Sequence, residues 1–484
     1  MVKPRTPIVA ILGHVDHGKT TLLDYIRKSK ITEKEYGGIT QKIGAYEVKT
    51  GIRGYKTDKI TFIDTPGHEA FTKLRSRGAN VADIAILIID AKDSVMPQTV
   101  ESIYHIKSAE IPFIVALNKI DLPDANPEKV KNDLMKYDVL MESKGGKIPA
   151  VEISAKTGKG VNDLLEMILF IASDLNLTFN DQNPPFGYII ETKKDKRGVV
   201  ATVILKDGSL KVGDIIYSAD KKAKVRSMIN DLGQQINEVY PSTPFELLGF
   251  EQMPTVGDKI SDKLQSIKTE ETGNYLIEKK IDLNTLFVKP NQQKKLNLII
   301  KADSQGSLEA IDYALKDNKN IEIVLKSVGE ITKSDIFLAK TTKAIIIGFS
   351  VSINQEAKEL AQQEKIIIKT YNIIYELIEE LNEVALMLKE KEEREKNLKG
   401  EAKILATFII EGEKVFGVKI TKGKINLNDI LEIYRNNKLI GKTKLVSLKI
   451  RAKKVDEVKK DQEAGMIFSP ALDISVGDVV KSIL

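Results

Sequence analysis

The sequence predicts a multidomain protein of the mixed α/β plus β class, and three observations support this fold class. The chain has 484 residues, more than a single hydrophobic core normally accommodates. The apolar run from Ile8 to Leu12 leads directly into a glycine-rich turn and a helical pattern, as in phosphate-binding α/β domains. After residue 183, short alternating runs between turns replace that pattern, which favours antiparallel barrels.

The composition favours a cytoplasmic protein without a membrane partner. Hydrophobic residues make up 42% and charged residues 29% of the chain, as in soluble globular domains, and no apolar stretch is long enough to cross a bilayer. We also expect no signal peptide. The chain has no cysteine and four histidines, which excludes disulfides and cysteine-bound zinc. The net charge of +6 is compatible with a nucleic acid partner without requiring one.

The residues after the first strand match the phosphate-binding pattern G-x-x-x-x-G-K-[ST]. They are Gly13, His14, Val15, Asp16, His17, Gly18, Lys19 and Thr20. In such a loop the backbone N–H groups point at phosphates, the lysine adds positive charge and the threonine hydroxyl binds Mg²⁺. Thr21 continues into an apolar-spaced helix with Leu22, Leu23 and Ile26, so the phosphates would lie at a helix N-terminus. An ordinary glycine turn before a helix is the alternative.

Strands and helices alternate to about residue 177, which predicts a doubly wound sheet. The further predicted strands are Ile60 to Asp64, Ile84 to Asp90, Phe113 to Asn118 and Ala150 to Ser154. Because open α/β sheets bind ligands at the carboxyl ends of their strands, we expect the polar residues that follow these strands to form one site.

The segment at the end of the first of these strands predicts contacts to the metal and to the γ-phosphate. It consists of Asp64, Thr65, Pro66 and Gly67, a carboxylate that can reach Mg²⁺ through water and a glycine amide that can approach the phosphate. His68 follows, where a residue can position the attacking water, and is the predicted catalytic residue. A Pro-Gly turn followed by a spectator histidine is the alternative.

Two further segments predict the base. They contain Asn118, Lys119, Asp121, Ser154, Ala155 and Lys156. The Asp121 carboxylate can accept hydrogen bonds from N1–H and N2–H₂ of guanine, which adenine does not offer. Asn118 would link the base site to the phosphate loop, the Lys119 stem would cover the ring, and the segment from Ser154 would supply a backbone N–H to guanine O6. Each short motif alone could be a turn or a helix cap, but together they predict a P-loop GTPase domain that binds GTP and GDP.

A switch segment is predicted between the phosphate loop and Asp64. Gly37 to Gly44 is glycine-rich, polar and poorly periodic, and a threonine hydroxyl there can reach Mg²⁺ only when the γ-phosphate is present. Thr20 and Thr40 are therefore the predicted metal ligands. A flexible surface loop is the alternative interpretation.

The remaining chain predicts five more parts. We expect a GTP-binding domain over 1–178, a β-barrel over 183–262, a linker over 263–292, a small α/β domain over 293–370, a linker helix over 371–400 and a C-terminal β-barrel over 401–484. In the small domain, Leu296 to Lys301, Ile321 to Leu325 and Ala344 to Gly348 are predicted strands, with a helix opening at Ser307. Helical spacing from Ile373 to Leu398 predicts the linker helix.

The two barrels carry a repeated pattern. Gly208-x-Leu210-x-x-x-Asp214-Ile215 recurs as Gly423-x-Ile425-x-x-x-Asp429-Ile430. Val256-Gly257-Asp258 recurs as Val476-Gly477-Asp478 at a similar offset. The repetition predicts two copies of one module, and generic hairpin turns are the alternative.

With these motifs in place, the chain resembles the bacterial family of translation initiation factor two, and the resemblance extends to the C-terminus. The histidine at position 68, in place of glutamine, is the translational signature. The resemblance implies a GTPase that delivers formyl-methionyl initiator tRNA to the small ribosomal subunit and promotes joining of the large one. It implies hydrolysis on the ribosome, where the sarcin-ricin loop drives the histidine into place, and other initiation factors as partners.

Further features are implied by the same resemblance. Asp16 is similar to a family aspartate that holds a monovalent cation beside the phosphates. Family members usually carry an N-terminal extension, so this chain is expected to be a short form without it. Two other functions remain open: an elongation-type carrier of aminoacyl-tRNA, which the block from Lys295 to Leu398 argues against, and a non-enzymatic RNA-binding scaffold, which intact Lys19, Thr40 and His68 argue against.

The family's last barrel holds the formyl-methionine and the tRNA acceptor end. Lys449 and Glu463 fit the family pattern, and Arg451 lies beside them in the sequence. The departures are Val418 and Ala464 in place of the usual cysteines and Ile450 in place of a usual arginine. The arginine loss removes a fixed fork of hydrogen-bond donors, which predicts weaker selectivity for the formyl group.

Overall fold

The computed structural model describes residues 2–28, 40–264, 295–410, 412–436, 438–451, 453–470 and 472–483. The chain divides into two compact units, Met1–Asn284 with Leu296–Asn382 and Thr285–Lys295 with Glu383–Leu484. Gly37, Gly38 and Ile39 of the predicted switch, and nearly all of the predicted 263–292 linker, lie outside the described residues. Within the described ranges, no helix is long and apolar enough to span a membrane.

The first part of the chain is the predicted doubly wound sheet. Its strands are β1 (Val2–Pro4), β2 (Ile8–Leu12), β3 (Gly44–Lys49), β4 (Lys59–Asp64), β5 (Ile84–Asp90), β6 (Phe113–Asn118), β7 (Ala150–Glu152) and β8 (Thr178–Asn180). Six of them form one sheet in the order β3-β4-β2-β5-β6-β7, and only the β3–β4 pair is antiparallel. Strand β7 ends at Glu152, earlier than predicted, because Ser154 already belongs to the following turn.

Helices cover both faces of this sheet. They are α1 (Lys19–Arg27), α2 (Thr72–Val81), α3 (Pro97–Ser108), α4 (Pro127–Met135) and α5 (Val161–Asp174), with 3-10 turns at Glu69–Phe71 and Glu142–Lys144. Every residue of β2 and β5 is buried, which is why these strands are continuous apolar runs. The buried side chains form one core on each face, and the carboxyl ends of the strands converge on one edge.

The next part is a closed antiparallel barrel, as predicted. Its strands are β9 (Phe186–Asp195), β10 (Gly198–Asp207), β11 (Leu210–Lys211), β12 (Ile215–Ser218), β13 (Lys221–Asn230), β14 (Gln235–Ile236), β15 (Glu238–Val239), β16 (Pro244–Phe250) and β17 (Lys259–Ser261). The sheet order is β12-β17-β9-β10-β16-β13, and β13 pairs back to β12. Closure buries one apolar core and removes the exposed strand edges.

A small parallel α/β layer follows. It consists of β18 (Leu296–Ala302), α6 (Gln305–Leu315), β19 (Ile321–Val328), α7 (Lys333–Thr342), β20 (Ile345–Phe349), α8 (Gln355–Glu364) and β21 (Ile368–Tyr371). The strand order is β19-β18-β20-β21, all parallel. The prediction that α6 opens at Ser307 was wrong: the helix begins at Gln305, because Ser304 is its N-cap and accepts the Ser307 N–H at 3.2 Å. The long helix α9 (Ile374–Lys396) comes next.

The C-terminal unit contains a second closed barrel. Its strands are β22 (Leu398–Ile410), β23 (Glu413–Asn426), β24 (Ile430–Arg435), β25 (Lys438–Ile450), β26 (Lys453–Lys454), β27 (Glu457–Lys459), β28 (Glu463–Ser469) and β29 (Val479–Ile483). The order β22-β29-β24-β25-β28-β23 closes through the β22–β23 pair. Apart from the short strands, the neighbours follow the same chain order as in the first barrel.

The repeated sequence pattern makes the same hydrogen bonds in both barrels. The Asp214 carboxylate accepts the Lys211 N–H at 2.8 Å, and the Asp429 carboxylate accepts the Asn426 N–H at 2.9 Å. Similarly, Asp258 and Asp478 each accept, through their carbonyl oxygen, an N–H of the barrel's first long strand, at 3.0 and 2.9 Å. The two barrels are therefore two copies of one module.

Candidate nucleotide site

Two glycines shape the loop after β2. Gly13 has φ +151, and a Cβ added there would lie 2.4 Å from the Ile88 carbonyl oxygen. Gly18 has φ +94, and a Cβ added there would lie 2.3 Å from Asn118 Nδ2. Both positions therefore exclude a side chain for two reasons, the positive φ and the space. The loop then passes into α1, whose unpaired N–H groups lie at the edge where the strands end.

A cavity of about 240 Å³ lies on this loop. It is lined by Val15, Asp16, Gly18, Lys19, Thr20, Thr21, Thr40, Gly67, His68, Lys119 and Tyr375. All except Tyr375 are predicted site residues. The ring of His17 is buried below the loop and does not line the cavity, and burial lowers the pKa of His17 to about 3, so this ring is neutral.

Lys19 points into the centre of the loop. Its Nζ donates to the carbonyl oxygens of Gly13 and His14 at 3.0 and 2.6 Å. Burial lowers the pKa of Lys19 to about 8, against the opposing effect of Asp64. A Cβ on Gly67 would lie 2.5 Å from this amine, so glycine at position 67 lets the backbone approach the lysine. A phosphate here would meet a cation and backbone amides together.

Three oxygen-bearing side chains meet beside Lys19. Thr20 Oγ1 and Thr40 Oγ1 are 2.5 Å apart, and Thr40 Oγ1 donates to Asp64 Oδ2 at 3.3 Å. Asp64 is 4% exposed, and burial raises its pKa to about 6. Asp64 Oδ1 is buried and accepts no hydrogen bond among the described residues. An unpartnered carboxylate oxygen beside two hydroxyls fits the donor set that Mg²⁺ prefers.

The residues predicted to bind the base are also brought together. Asn118 donates from Nδ2 to the His17 carbonyl at 2.8 Å, which is the predicted link to the phosphate loop. Its Oδ1 accepts the Ala155 N–H at 2.9 Å, so that amide already has a partner in this structure. Lys119 binds Asp90 at 2.7 Å. Hydrogen bonding from Ser154 lowers the pKa of Asp121, which keeps this carboxylate ionised as an acceptor.

Thr65 and Pro66 support the segment more than they face the cavity. Thr65 Oγ1 donates to the Ile11 carbonyl at 2.7 Å, which joins the segment to β2. The Pro66 carbonyl accepts from Arg75 Nη1 at 3.0 Å. Neither residue lines the cavity, so their contribution is to the path of the backbone between Asp64 and His68.

His68 lies at the cavity wall and is buried. The Ala70 N–H donates to His68 Nδ1 at 2.9 Å, so the proton of the neutral ring is assigned to Nε2. Burial lowers the pKa of His68 below its ordinary value, with Glu69 opposing and Arg75 assisting this shift. The ring is thus a neutral imidazole at pH 7, with Nε2–H as its hydrogen-bond donor.

Three contacts of this site were missed by sequence reasoning. Tyr375 packs on His68, with ring centroids 4.1 Å apart. Gln41 binds the backbone of Asn372 and Ile374, and Arg75 binds the carbonyl oxygens beside His68. For Arg75, a signal existed: a charged residue stands on the apolar side of α2. Tyr375 and Gln41 carry no local signal, because their partners are distant in the sequence.

The residues predicted to hold the tRNA end cluster in the second barrel. Glu463 pairs with Lys419, and Ala464 with Val418, across β23 and β28. Lys449 pairs with Gly465 of β28, and Arg451 follows on the surface in a left-handed conformation with φ 44. Val418 is 1% and Ala464 7% exposed, so both pack in the barrel core instead of presenting polar groups.

Three family models match successive parts of the chain. The elongation factor Tu GTP binding domain matches residues 4–174, elongation factor G domain 2 matches residues 184–263, and translation-initiation factor 2 matches residues 274–382. The second model falls on the first barrel and the third on a range that includes the small α/β layer.

Relatives match along the whole chain. Translation initiation factor IF-2 of Geobacillus sp. (strain WCH70) is 42% identical over 496 residues, which cover 99% of this chain and 67% of the relative. The factor of the same name from Thermoanaerobacter sp. (strain X514) is 43% identical, covering 99% of this chain and 71% of the relative. Among solved structures, GDP-bound aIF5B from Aeropyrum pernix is 26% identical with a TM-score of 0.46, covering 99% of this chain and 92% of that one.

Proposed function

The chain belongs to the translation initiation factor IF-2 family, and from this premise we propose how its site serves one cycle of initiation. The protein is a GTPase of translation initiation. With GTP bound, it brings initiator tRNA to the small ribosomal subunit and promotes joining of the large subunit. Hydrolysis of GTP to GDP and phosphate on the ribosome then ends the cycle.

The loop from Gly13 to Thr20 holds the β- and γ-phosphates. Backbone amides at the start of α1 and the Lys19 amine face them, and Lys19 exchanges its two carbonyl partners for phosphate oxygens. The carboxylate of Asp121 accepts two hydrogen bonds from guanine. Lys119 lines the cavity, so its stem can cover the base, while Asn118 keeps base site and loop in register through His17.

Thr20, Thr40 and Asp64 would hold the Mg²⁺ that accompanies the nucleotide. When bound, the ion neutralises charge on the β- and γ-phosphates. Thr40 belongs to the predicted switch, so its hydroxyl engages the site only while the γ-phosphate orders that segment. Asp16 lines the same cavity, where a carboxylate next to the phosphates can hold a monovalent cation.

His68 positions the attacking water. The neutral ring donates Nε2–H to the water oxygen, while the Ala70 N–H fixes the opposite nitrogen. The water oxygen bonds to the γ-phosphorus, the bond to the β–γ bridging oxygen breaks, and the water protons pass to phosphate oxygens. The histidine contributes by orienting the water, and the sarcin-ricin loop of the large subunit brings the histidine into its final position.

The second barrel receives the tRNA acceptor end. Lys449 lies exposed on β25, Arg451 in the turn after β25 and Glu463 on β28. The two cations can meet phosphates, and the carboxylate can accept hydrogen bonds. Other initiation factors complete the assembly on the small subunit.

One observation carries the proposal: one cavity is lined by Lys19, Thr20, Thr40 and His68, and the buried Asp64 carboxylate accepts the Thr40 hydroxyl beside it. The experiment measures ribosome-dependent GTP turnover and, in parallel, retention of initiator tRNA on small subunits. We expect fast turnover only with both subunits present, and retention of initiator tRNA with GTP but not with GDP. Equal retention with both nucleotides would contradict the proposed switch.

A further inference from the structure

The first turn of α9 contacts the nucleotide cavity although it lies outside the predicted GTP-binding domain. The Tyr375 ring packs against the His68 ring, with centroids 4.1 Å apart and planes tilted by 52°. Tyr375 also lines the cavity together with Lys19 and Thr20. The helix therefore places an aromatic ring beside the residue that positions the attacking water.

Gln41 ties the same turn of α9 to the segment that carries Thr40. Its Nε2 donates to the Asn372 carbonyl at 2.9 Å, and its Oε1 accepts the Ile374 N–H at 3.0 Å. The Ile374 N–H is one of the helix-start donors that have no partner within a helix. Since Gln41 directly follows Thr40, the two hydrogen bonds hold the first turn of α9 against the backbone that carries Thr40.

The ring contact packs against the His68 imidazole and does not decide its tautomer. His68 Nδ1 is already fixed by the Ala70 N–H of its own segment, so the tautomer does not depend on α9. Tyr375 instead fills space next to the imidazole and restrains rotation of the ring, because packed aromatic pairs hold a preferred geometry. Tyr375 therefore restrains the imidazole at the place where it would meet the attacking water.

We propose that Tyr375 is a positioning residue that gates His68. While the first turn of α9 is docked, the tyrosine ring holds His68 in its packed orientation, and GTP hydrolysis is slow. When an external contact displaces α9, the tyrosine ring withdraws and the His68 imidazole is released to align with the water. The inference rests on the proposed function, because it requires His68 to act on that water.

The test measures GTP hydrolysis by the full chain without ribosomes, separating kcat from KM. We expect Tyr375→Ala to raise kcat by roughly three- to tenfold, the size of one aromatic contact, with KM unchanged. Tyr375→Phe keeps the ring and should retain the low rate. Gln41→Ala, which loosens the turn without touching the ring, should raise kcat in the same direction. Tyr104→Ala, an exposed tyrosine on α3, is the matched control.

The gain must depend on His68. The double variant Tyr375→Ala with His68→Ala should return to the rate of His68→Ala alone. A Tyr375→Ala rate at or below wild type, or a gain that persists without His68, overturns the gate. Retained GDP affinity shows that a variant is folded. If Tyr375→Ala loses GDP affinity, the hydrolysis rate of Gln41→Ala alone tests the gate. Failure of the proposed function would appear separately, as wild-type protein without ribosome-stimulated turnover.

Discussion

Arg75 Nη1 donates to the His68 carbonyl oxygen at 2.5 Å. The same nitrogen contacts the carbonyls of Pro66 and Gly67 at 3.0 Å each, and the guanidinium pairs with Glu101 at 2.7 Å. Arg75 is fully buried. A single planar cation thus fixes the backbone that carries the predicted catalytic histidine, so the position of His68 depends on α2.

The first prediction concerns this support. Arg75→Lys keeps the charge but loses the planar fork, so we expect ribosome-stimulated GTP turnover to fall by roughly 10- to 100-fold, the usual effect of a misplaced catalytic group. GDP affinity should stay near wild type, since the phosphate loop is untouched. Arg77→Lys on the same helix, where one hydrogen bond to Glu309 is at stake, is the matched control. Unchanged turnover in Arg75→Lys would show that the carbonyl contacts do not position His68.

The second prediction tests His68 itself. His68→Ala should retain GTP binding while ribosome-stimulated turnover drops by roughly 10²- to 10⁴-fold. Release of phosphate from radiolabelled GTP measures turnover, and equilibrium binding measures GTP affinity, so the two effects are separated. Turnover at the wild-type rate would refute the catalytic role.

The pH profile offers a second measurement of the same role. Burial lowers the pKa of His68 below 6.5, and the neutral ring is the active form. The pH at which turnover declines, as the imidazole takes up a proton, should therefore lie below the value near 6.5 at which a free imidazole does so. His68→Gln, which does not titrate, should lack any decline that belongs to the histidine.

Much of this site follows from the sequence because its parts are local. Gly13 to Thr20 and Asn118 to Asp121 each occupy one strand end, and strand ends of a parallel sheet meet at one edge. The barrels were predictable for a related reason: Gly208 and Gly423 adopt φ 75 and φ 61, and the following aspartates close the same turns.

The contacts around His68 could not be predicted in this way. Tyr375 stands in a helix whose periodicity explains its apolar residues without any reference to a nucleotide. The Gln41 side-chain amide makes hydrogen bonds to backbone groups of Asn372 and Ile374. Any side-chain amide can make such bonds to any backbone, so the sequence does not indicate this partner. Sequence periodicity indicates which face of an element is buried. Which residues that face packs against is decided by the tertiary structure alone.

The third prediction concerns the base. Asp121→Asn replaces an acceptor by a donor, so the preference for GTP should move toward XTP, whose 2-oxo group accepts that bond. Competition binding with GTP and XTP measures the shift. Asp124→Asn makes the same change at an exposed neighbour paired with Lys92 at 3.3 Å and should leave GTP preference unaltered. Unchanged GTP affinity in Asp121→Asn would remove the base assignment.

The fourth prediction concerns a buried charge cluster in the first unit. Asp83 pairs with Arg5 at 2.7 Å and with Lys206 at 2.6 Å, and its side chain is 8% exposed. Burial opposes ionisation, yet both cations together lower the pKa of Asp83. Its stabilisation is therefore present at neutral pH and is lost as pH falls through the lowered pKa.

Asp83→Asn leaves the buried Arg5 and the half-buried Lys206 without their anion. We expect a loss of ~3 kcal/mol in unfolding free energy for the first unit, measured from the midpoint of thermal or denaturant unfolding. The matched variant is Asp181→Asn, which removes an ion pair to Lys3 at 2.6 Å on the surface and should leave the unfolding free energy nearly unchanged. Equal losses in both variants would mean that burial does not strengthen the Asp83 cluster.

The fifth prediction concerns the tRNA end. Ile450 offers no donor where the resemblance places an arginine, and Val418 and Ala464 are buried apolar residues, so the formyl oxygen has fewer partners at this end of the barrel. We expect the chain to bind unformylated charged initiator tRNA only a few-fold more weakly than the formylated form. Ile450→Arg should widen that ratio, because its guanidinium restores a fork of donors. Arg451 stands one residue further on, and Arg451→Ala shows whether it substitutes for the missing fork. A strong preference of the wild-type chain for formylated tRNA that disappears in Arg451→Ala would assign formyl recognition to Arg451 and end the relaxed-selectivity hypothesis.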